Sequence, residues 1–345
     1  MIPARAMTSQ LKEKWSLLQQ SDSNFASPFF CPEFTSSLAL YRNDIYIAFM
    51  EENGDVVGFF PFRLGKYSIA KPLCMSDYQG IVVKKGVSWK IEDVLKSCGL
   101  VAWDFFQLIT PQTALQKMDS LKMISSLIIN LSDGYEAYIA KLIKTRVERM
   151  KDIFRQFRKI EQEVGTINFK QDISDISTLH KILEWKTAKY KGDQWWLETW
   201  VVKTLETIFL TRNNNFKGML SALYAGQELI AVHFGMRSGK ILHWWFPAYD
   251  KRFGKYSPGI ILLLKAAEAC SSLGIEIIDF GAGDEDYKRL LSNDSILIGE
   301  GCFEIPSLIT LGRKLFRDIK TCIRKTPYLY IPLKRAYRIV RGISD

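Results

Sequence analysis

The sequence predicts a mixed α/β fold built from two tandem units, each a mixed sheet flanked by helices. Short apolar strands alternate with amphipathic helices along most of the 345 residues, which is the pattern of an α/β protein. The order of elements also repeats, because two strands, a loop, a helix and a further strand follow one another twice. Gly99 lies five residues before Asp104 in an apolar strand, and Gly274 lies five residues before Asp279 in the second copy. The repeat favours an internal duplication over a chance likeness between two generic α/β halves.

Composition and charge limit the class of protein and of partner. Hydrophobic residues make up 47% of the chain and aromatic residues 13%, which is enough to build a full core. The formal net charge of +10 favours an anionic partner. A nucleotide cofactor, a nucleic acid and an anionic lipid surface all fit this charge, and the charge alone does not choose among them.

The spacing of cysteine and histidine indicates no metal site. The six cysteines include no C-x-x-C pair, and none of the three histidines stands in an H-E-x-x-H motif. The start of the chain lacks the apolar core of a signal peptide, and no apolar run approaches the ~20 residues of a membrane span. We therefore expect a cytoplasmic protein without a bound metal, with at most a peripheral contact at the inner face of the membrane.

The first unit is predicted to span residues 1–134. Two of its strands flank the turn Glu52-Asn53-Gly54, which is typical of a hairpin. A loop over 76–80 and a helix ended by Gly99 precede the last strand. This unit lacks the Ser-Pro-Gly turn and the Tyr-Lys pair of the second unit, so we expect no donor site in it. The predicted elements are helices over 8–20, 33–41 and 87–97 and strands over 45–49, 56–63 and 100–106.

Residues 135–165 are predicted to form one basic helix that bridges the two units. Apolar residues recur there at helical spacing, from Tyr138 to Ile160, and lysine and arginine cover much of the remaining surface. We favour a solvated basic face, because charge runs usually face solvent. A basic face that contacts an anionic ligand is the alternative.

The second unit, residues 166–306, contains the stretch around which the chain is organised. Its centre is the basic turn 250–259, with Ser257 and Pro258 at the start of a helix that Gly274 ends. Free N–H groups and the helix dipole favour phosphate at such a helix start. Pro258 suits the first helical turn because its missing N–H costs nothing there. The other predicted elements are helices over 177–190 and 201–211 and strands over 216–224, 229–237, 240–246 and 275–280.

The tail, residues 307–345, contains ten lysine or arginine residues and two aspartates. It is predicted to form two short amphipathic basic helices around Thr326-Pro327 and Ile331-Pro332, with aromatic residues between the basic ones. Docking on an anionic membrane surface is consistent with this pattern. A solvated tail is the alternative.

Several segments carry a resemblance to a known family. They are His-Phe-Gly-Met-Arg at 233–237, Trp-Trp-Phe-Pro-Ala-Tyr at 244–249, Tyr-Ser-Pro-Gly at 256–259 and Asp-Phe-Gly-Ala-Gly-Asp-Glu-Asp-Tyr-Lys at 279–288, together with 76–80, the basic helix and 184–190. Over about residues 40 to 305 the chain resembles the GNAT-like acetyltransferases of the cellulose-biosynthesis type, relatives of the FemAB peptidoglycan transferases. The resemblance implies two tandem GNAT-like domains, acyl-CoA (acetyl-CoA) as co-substrate, and a role in exopolysaccharide or cell-envelope synthesis. The family's Q/R-x-x-G-x-G/A phosphate loop is poorly matched, and residues 255–259 stand in its place.

The donor is predicted to bind at the start of the helix after the basic turn. We place its pyrophosphate at Ser257 and Gly259, where a glycine lets a ligand approach the backbone closely. Arg252 and Lys255 add positive charge, and Tyr256 completes the donor-binding set. An ordinary helix start capped by serine is the alternative.

The predicted catalytic residues are Tyr287, His233 and Asp279. Direct acyl transfer needs proton transfers but no covalent enzyme intermediate, and the sequence shows no convincing Ser/His/Asp or Cys/His constellation. By analogy with GNAT enzymes, Tyr287 protonates the leaving thiolate. His233 is the candidate base, since an unperturbed histidine has a pKa near 6.5, and Asp279 ends a strand, where α/β ligand sites gather. That strand is expected to splay from the strand over 229–237 and to expose backbone groups to the pantetheine arm.

The acceptor side is predicted from aromatic and basic residues. Trp244 and Tyr249 are candidates to stack on a sugar, although packing in the core is the more common role of such rings. Lys186, Tyr78 and Lys288 are further acceptor-side candidates.

The leading hypothesis is an acyl-CoA-dependent N- or O-acyltransferase that acts on a glycan or glycolipid precursor. An aminoacyl-tRNA-dependent transferase of the FemAB kind is the second hypothesis, which the basic helix favours. A non-catalytic scaffold of polysaccharide synthesis, docked on the membrane through 307–345, is the third.

Overall fold

The computed structural model describes residues 1–109, 121–190, 192 and 194–325. Over these residues the chain forms a mixed α/β fold, in which helices flank both faces of one thirteen-stranded sheet. The predicted fold class is confirmed. The tail residues 326–345, with the predicted elements around Pro327 and Pro332, lie outside the described residues.

The elements are numbered in chain order. The helices are α1 (Ser9–Gln20), α2 (Pro32–Ala39), α3 (Ile91–Ser97), α4 (Tyr135–Thr145), α5 (Val147–Glu163), α6 (Ile176–Lys189), α7 (Thr199–Leu210), α8 (Pro258–Ser272), α9 (Asp286–Leu291) and α10 (Leu308–Lys325). The strands are β1 (Ile2–Pro3), β2 (Ile45–Glu52), β3 (Asp55–Gly65), β4 (Ile69–Lys71), β5 (Val82–Val83), β6 (Ala102–Ile109), β7 (Lys122–Asn130), β8 (Ile167–Lys170), β9 (Phe216–Ala225), β10 (Glu228–Ser238), β11 (Ile241–Tyr249), β12 (Ile277–Asp279) and β13 (Asp294–Glu304).

The strand order is β1-β2-β3-β4-β6-β13-β7-β12-β11-β10-β9-β8, and β5 pairs with β3. The same pairing pattern occurs twice, because β4 pairs in parallel with β6 and β11 pairs in parallel with β12. The last strand of each half also pairs with a strand of the other half, since β7 pairs with β12 and β13 pairs with β6. The sheet is therefore continuous across the molecule, and the boundary predicted at residue 134 does not coincide with a break in it.

Apolar residues on the two faces of the sheet form separate cores. On one face Trp15, Phe29 and Phe34 pack with Val232 and Phe234 of β10. On the other face the apolar sides of α4, α5 and α8 pack with β7, β10, β11 and β12. In the described part of the chain, no helix is both long and apolar enough to cross a membrane.

The prediction of a single helix over 135–165 is wrong. The chain forms α4 and α5, which meet at Arg146, where φ is −134° and ψ is 46°. Tyr138 and Leu142 of α4 and Ile160 of α5 are buried as the spacing predicted. Both helices bury their apolar residues in one core, and Thr145-Arg146-Val147 contains no glycine or proline, so packing is the physical reason for the break.

Candidate active site

The site is built where two parallel strands diverge. Strands β11 and β12 pair over only three positions, the last of which joins His243 to Asp279. Beyond that point β11 continues to Tyr249, and among the described strands none pairs with this edge of it. The sequence predicted divergence from β10, which is wrong because β11 lies between the two. We call the point of divergence the fork, and its unpaired backbone can hydrogen-bond a ligand.

His243 is the centre of a buried polar group at the fork. Its side chain is inaccessible to solvent, and its Nε2 lies 2.7 Å from Oδ2 of Asp77. Its Nδ1 lies 3.9 Å from Oδ1 of Asp279, which is an ion-pair contact and too long for a hydrogen bond. Neither His243 nor Asp77 was among the residues predicted from the sequence.

Asp279 accepts two hydrogen bonds in the same group. The Tyr78 hydroxyl donates to its Oδ1 at 2.9 Å, and the Gly281 N–H donates to the same oxygen at 2.8 Å. The Tyr78 hydroxyl also lies 2.9 Å from the Ser126 hydroxyl. We call Asp77, Tyr78, Ser126, His243 and Asp279 the fork cluster. Its members come from both halves of the chain, so the site forms only when the loop 76–80 packs against the fork.

The charges of the fork cluster hold a proton on His243. Burial opposes the charge of this imidazole, but Asp279 and Asp77 outweigh burial and raise its pKa to about 9. Burial, followed by the charge of Asp279, raises the pKa of Tyr78 well above its ordinary value. His243 is therefore charged and Tyr78 neutral near pH 7. Asp77, whose side chain is about one-third exposed, is the charged member that a ligand can reach.

Gly281 is required where the loop 76–80 meets the fork. Its φ is +64°, and a Cβ built there would lie 2.5 Å from Asp77 Oδ2. We expect Gly281→Ala to lower the free energy of unfolding by about 2 kcal/mol or more, since backbone strain adds to the displacement of Asp77. Gly274→Ala is the matched control, because Gly274 has φ +68° and open space around it. Urea unfolding of both variants measures the difference, and equal losses would contradict the close contact with Asp77.

His233 does not meet the requirements of the predicted base. Its side chain is fully buried, and its ring stacks on Trp244 with centroids 3.5 Å apart. Neither ring nitrogen has a hydrogen-bond partner among the described residues. Burial, and then the neighbouring His243, lowers the pKa of His233 well below its ordinary value. An acceptor amine has no route to this ring, and His243 is the histidine that the structure brings to the fork cluster.

Tyr287 and Lys288 follow the fork on the short helix α9. The Tyr287 ring packs edge-on against Phe280, and burial raises the pKa of its hydroxyl, so the hydroxyl keeps its proton. Lys288, predicted on the acceptor side, is buried and is engaged within the loop. Its Nζ donates to Ala282 O at 3.0 Å and pairs with Glu285 at 2.9 Å. Lys288 therefore fixes the shape of the loop that places Tyr287.

The predicted donor-binding residues gather at the start of α8. Ser257 has φ 52° and ψ 51°, and its side chain makes no capping hydrogen bond to the helix. Gly259 lies under Tyr249, since a Cβ there would be 3.5 Å from the Tyr249 ring. The serine cap that stood as the alternative is therefore absent, which leaves the hydroxyl of Ser257 available at the helix start.

The basic residues of this turn have carboxylate partners. Arg252 pairs with Asp250 at 2.8 Å and with Glu228 at 3.2 Å. Lys255 pairs with Glu163 at 3.1 Å, and the Tyr256 hydroxyl donates to the same carboxylate. The sequence showed the cations of the turn but not their pairing with Asp250 of the same turn, Glu228 of β10 and Glu163 of α5. Arg252 and Lys255 are exposed, so a phosphate must compete with the carboxylates for them.

The predicted acceptor residues do not come together in one place. Tyr78 belongs to the fork cluster, whereas Trp244 is buried against His233 and has no open face for a sugar. Tyr249 is half-buried beside α8, under Lys189. Burial, and then the charge of Lys189, lowers the pKa of Lys186 to about 8.

A cavity of about 340 Å³ opens beside the fork cluster. Tyr78 and Asp279 of the fork cluster line it, together with Ser23, Asn24 and Ser27 of the N-terminal segment. Most of its wall is aliphatic, from Ile109, Ile128, Ile241, Ile277, Ile296 and Ile298. The site therefore combines a charged group with an apolar compartment.

Comparisons with known proteins agree with this architecture. Residues 148–289 match the model of the acetyltransferase (GNAT) domain. A crystal structure of FemX superposes with a TM-score of 0.61 at 10% identity, covering 88% of this chain and 97% of that one. The C-terminal domain (DUF2156) of a putative lysylphosphatidylglycerol synthetase from Agrobacterium fabrum gives a TM-score of 0.53 at 11% identity, covering 84% and 89%. A conserved protein of unknown function from Bacteroides thetaiotaomicron gives 0.55 at 10% identity, covering 88% and 100%. The search of curated proteins found no match.

These findings define the class of protein. The chain carries a GNAT acetyltransferase domain over 148–289 and is an acyltransferase. At identities near 10% the solved structures show a shared fold and no more. The resemblance to GNAT-like enzymes is confirmed at this level, and the domain includes α8, the fork and Tyr287.

Proposed function

We propose that this acyltransferase moves an acyl group directly from a carrier held at α8 to an amine or hydroxyl of an amphiphilic acceptor. The observation that carries the proposal is the fork, which bears the fork cluster and whose unpaired part of β11 runs to Tyr249, beside Gly259 at the start of α8. A ligand anchored at the helix start can lay an extended arm along the unpaired edge of β11. Its reactive carbonyl then comes to lie near Asp279.

The donor we favour is acyl-CoA, and acetyl-CoA is the member to test first. Its pyrophosphate suits the start of α8. Not every N–H there can bind it, because Pro258 has none and the N–H groups of Ile260 and Ile261 already donate to Ser257 O. The N–H of Gly259 and the hydroxyl of Ser257 remain as phosphate ligands, and the helix dipole adds partial positive charge. Acyl-CoA in turn places the reaction in the cytoplasm.

The reaction we propose is direct attack of the acceptor on the thioester carbonyl. The new bond joins the acceptor nitrogen or oxygen to the carbonyl carbon, and the carbon–sulfur bond breaks. Asp77 takes the proton of the acceptor, because it is the exposed carboxylate of the fork cluster. Tyr287 gives a proton to the leaving thiolate, since its raised pKa keeps it protonated until then. His243 balances the charges of Asp77 and Asp279.

The acceptor class follows from the cavity. Its aliphatic lining suits a hydrocarbon segment, and Tyr78 and Asp279 in the same lining can face the reacting group. A glycolipid precursor with a free amine or hydroxyl combines these features. We therefore assign the reaction to exopolysaccharide or cell-envelope synthesis, as in the cellulose-biosynthesis type that the sequence resembles.

Aminoacyl-tRNA is the second candidate donor. The exposed basic residues of α4 and α5 favour it, and the fold is shared with FemX. Three of these cations already contact carboxylates of the same helix, so a phosphate would have to compete for them. They are Lys151, Arg155 and Lys159. Binding of tRNA that falls steeply with salt would favour this donor, because phosphate contacts release counterions.

Thermal unfolding with acetyl-CoA tests the donor site. A donor that binds only the folded protein stabilises it by about 2.7 kcal/mol at 100 times its Kd, so the midpoint rises. We expect Ser257→Glu to abolish this rise, because a carboxylate there repels the pyrophosphate. Ser272→Glu adds the same charge at the other end of α8 and is expected to keep the rise. No rise at saturating acetyl-CoA would remove acetyl-CoA as the donor and leave aminoacyl-tRNA to test.

A further inference from the structure

Helix α10 contacts the rest of the protein through its polar side. Arg313 reaches Asp104 at 2.5 Å and Glu304 at 2.9 Å, and Arg317 pairs with Glu304 at 2.5 Å. Thr310 is buried, and its hydroxyl donates to Ile305 O at 2.8 Å. At 100° per residue, these three positions span only about 60° of the helix surface. The helix is therefore held against the end of the sheet by charge pairs and hydrogen bonds.

The opposite side of α10 is apolar and open to solvent. Six large side chains there are between 37% and 88% exposed. They occupy about 160° of the helix surface, centred roughly opposite the docked residues. They are Leu308, Ile309, Leu311, Leu315, Phe316 and Ile319. A helix on a protein surface normally buries its apolar stripe and exposes its polar one, and α10 does the reverse.

Charge indicates what covers this side. The segment 308–325 has six lysine or arginine residues and one acidic residue, Asp318. Arg313 and Arg317 pair with carboxylates of the sheet, Asp104 and Glu304, so the charge of 308–325 remains positive after these pairs are counted. A second copy of α10 would bring like charge against like charge, which opposes self-association. An anionic bilayer instead offers hydrocarbon to the apolar side and attracts the basic residues.

We propose that α10 docks the enzyme on an anionic phospholipid bilayer, with its apolar side in the boundary between headgroups and acyl chains. Arg313 and Arg317 hold the helix in the orientation that presents this side outward. The inference goes beyond acyl transfer, because it rests on α10 and on none of the residues of the fork cluster. It also supplies a physical reason for the reversed polarity of the helix.

Vesicle co-sedimentation tests the proposal with the full-length protein. We expect binding to vesicles of equal parts phosphatidylcholine and phosphatidylglycerol, and weak binding to phosphatidylcholine alone. The double variant Leu315→Glu, Phe316→Glu places two carboxylates on the apolar side. It is expected to reduce binding to the anionic vesicles by about tenfold or more. Both side chains are more than half exposed, so the thermal midpoint is expected to stay unchanged.

Leu210→Glu is the matched control. Leu210 is 70% exposed at the end of α7, which packs against α2 and β9, and this variant is expected to bind vesicles as the unchanged protein does. An unchanged protein that does not bind anionic vesicles would overturn the proposal, as would equal losses in the control and the double variant. A dimer in light scattering that the double variant dissociates, together with no vesicle binding, would assign α10 to a second copy instead.

Discussion

Asp279→Asn is expected to slow acyl transfer by at least about 100-fold and to leave donor binding within about threefold. Asparagine keeps an oxygen for the Gly281 N–H and the Tyr78 hydroxyl, which lie at 2.8 and 2.9 Å. It removes the negative charge of Asp279, which is one of the two carboxylates that contact His243. Asp77 is then the only charged carboxylate of the fork cluster in contact with the His243 imidazolium, which changes the electrostatic environment of the proposed proton acceptor. The rate of CoA release from acetyl-CoA measures the loss, and the thermal shift with acetyl-CoA measures donor binding.

Asp104→Asn separates a loss of charge in the site from a loss of charge elsewhere. Asp104 is also largely buried and paired, to Lys71 and Arg313, but it lies on β6, away from the fork. This variant is expected to lose stability and to keep its rate within about threefold once folded. If Asp279→Asn retains the rate of the unchanged enzyme, Asp279 has no part in the reaction and the fork cluster is structural.

The fold was accessible from sequence because its signals are local. The turn Glu52-Asn53-Gly54 between two apolar stretches predicted the hairpin of β2 and β3, and the helix start at Pro258 was predicted to within two residues. The pairing of β7 with β12 and of β13 with β6 could not be predicted, because strand partners depend on long-range pairing. The break at Arg146 was missed for a similar reason, since packing and not a local breaker produces it.

Only part of the site could be predicted from the sequence. Asp279 and Tyr78 were predicted from a strand end and a loop, and the structure joins them by a hydrogen bond. His233 was considered and His243 was not, although both lie in apolar strands with nothing local to distinguish them. What distinguishes the two histidines is the register of β11 and β12, which puts His243 beside Asp279. That register depends on strand pairing and not on the local sequence. Asp77 adjoins the predicted Tyr78, and its role appears only when the loop meets His243.

Stability is expected to fall as the pH rises from 6.5 to 8. The pKa of His243 is raised from 6.5 to about 9 on folding, so the folded protein holds a proton that the unfolded chain releases. This contribution is fully present below pH 6.5 and is lost as the pH rises through about 9. Each unit of pH in that window costs about 1.4 kcal/mol, so the loss from 6.5 to 8 is about 2 kcal/mol. Urea unfolding at a series of pH values measures it.

Lys186 sets the upper limit of the pH range over which stability is expected to fall. Burial lowers its pKa to about 8, so above pH 8 the unfolded chain binds the extra proton and stability gains an opposite slope. Lys186→Met is expected to remove that upper slope and to keep the fall below pH 8. Asp77→Asn removes one of the two charges that hold the proton on His243, and it is expected to flatten the fall below pH 8. An undiminished fall in Asp77→Asn would show that His243 is not the group responsible, whereas a flattened one would identify the fork cluster as the origin of the pH dependence.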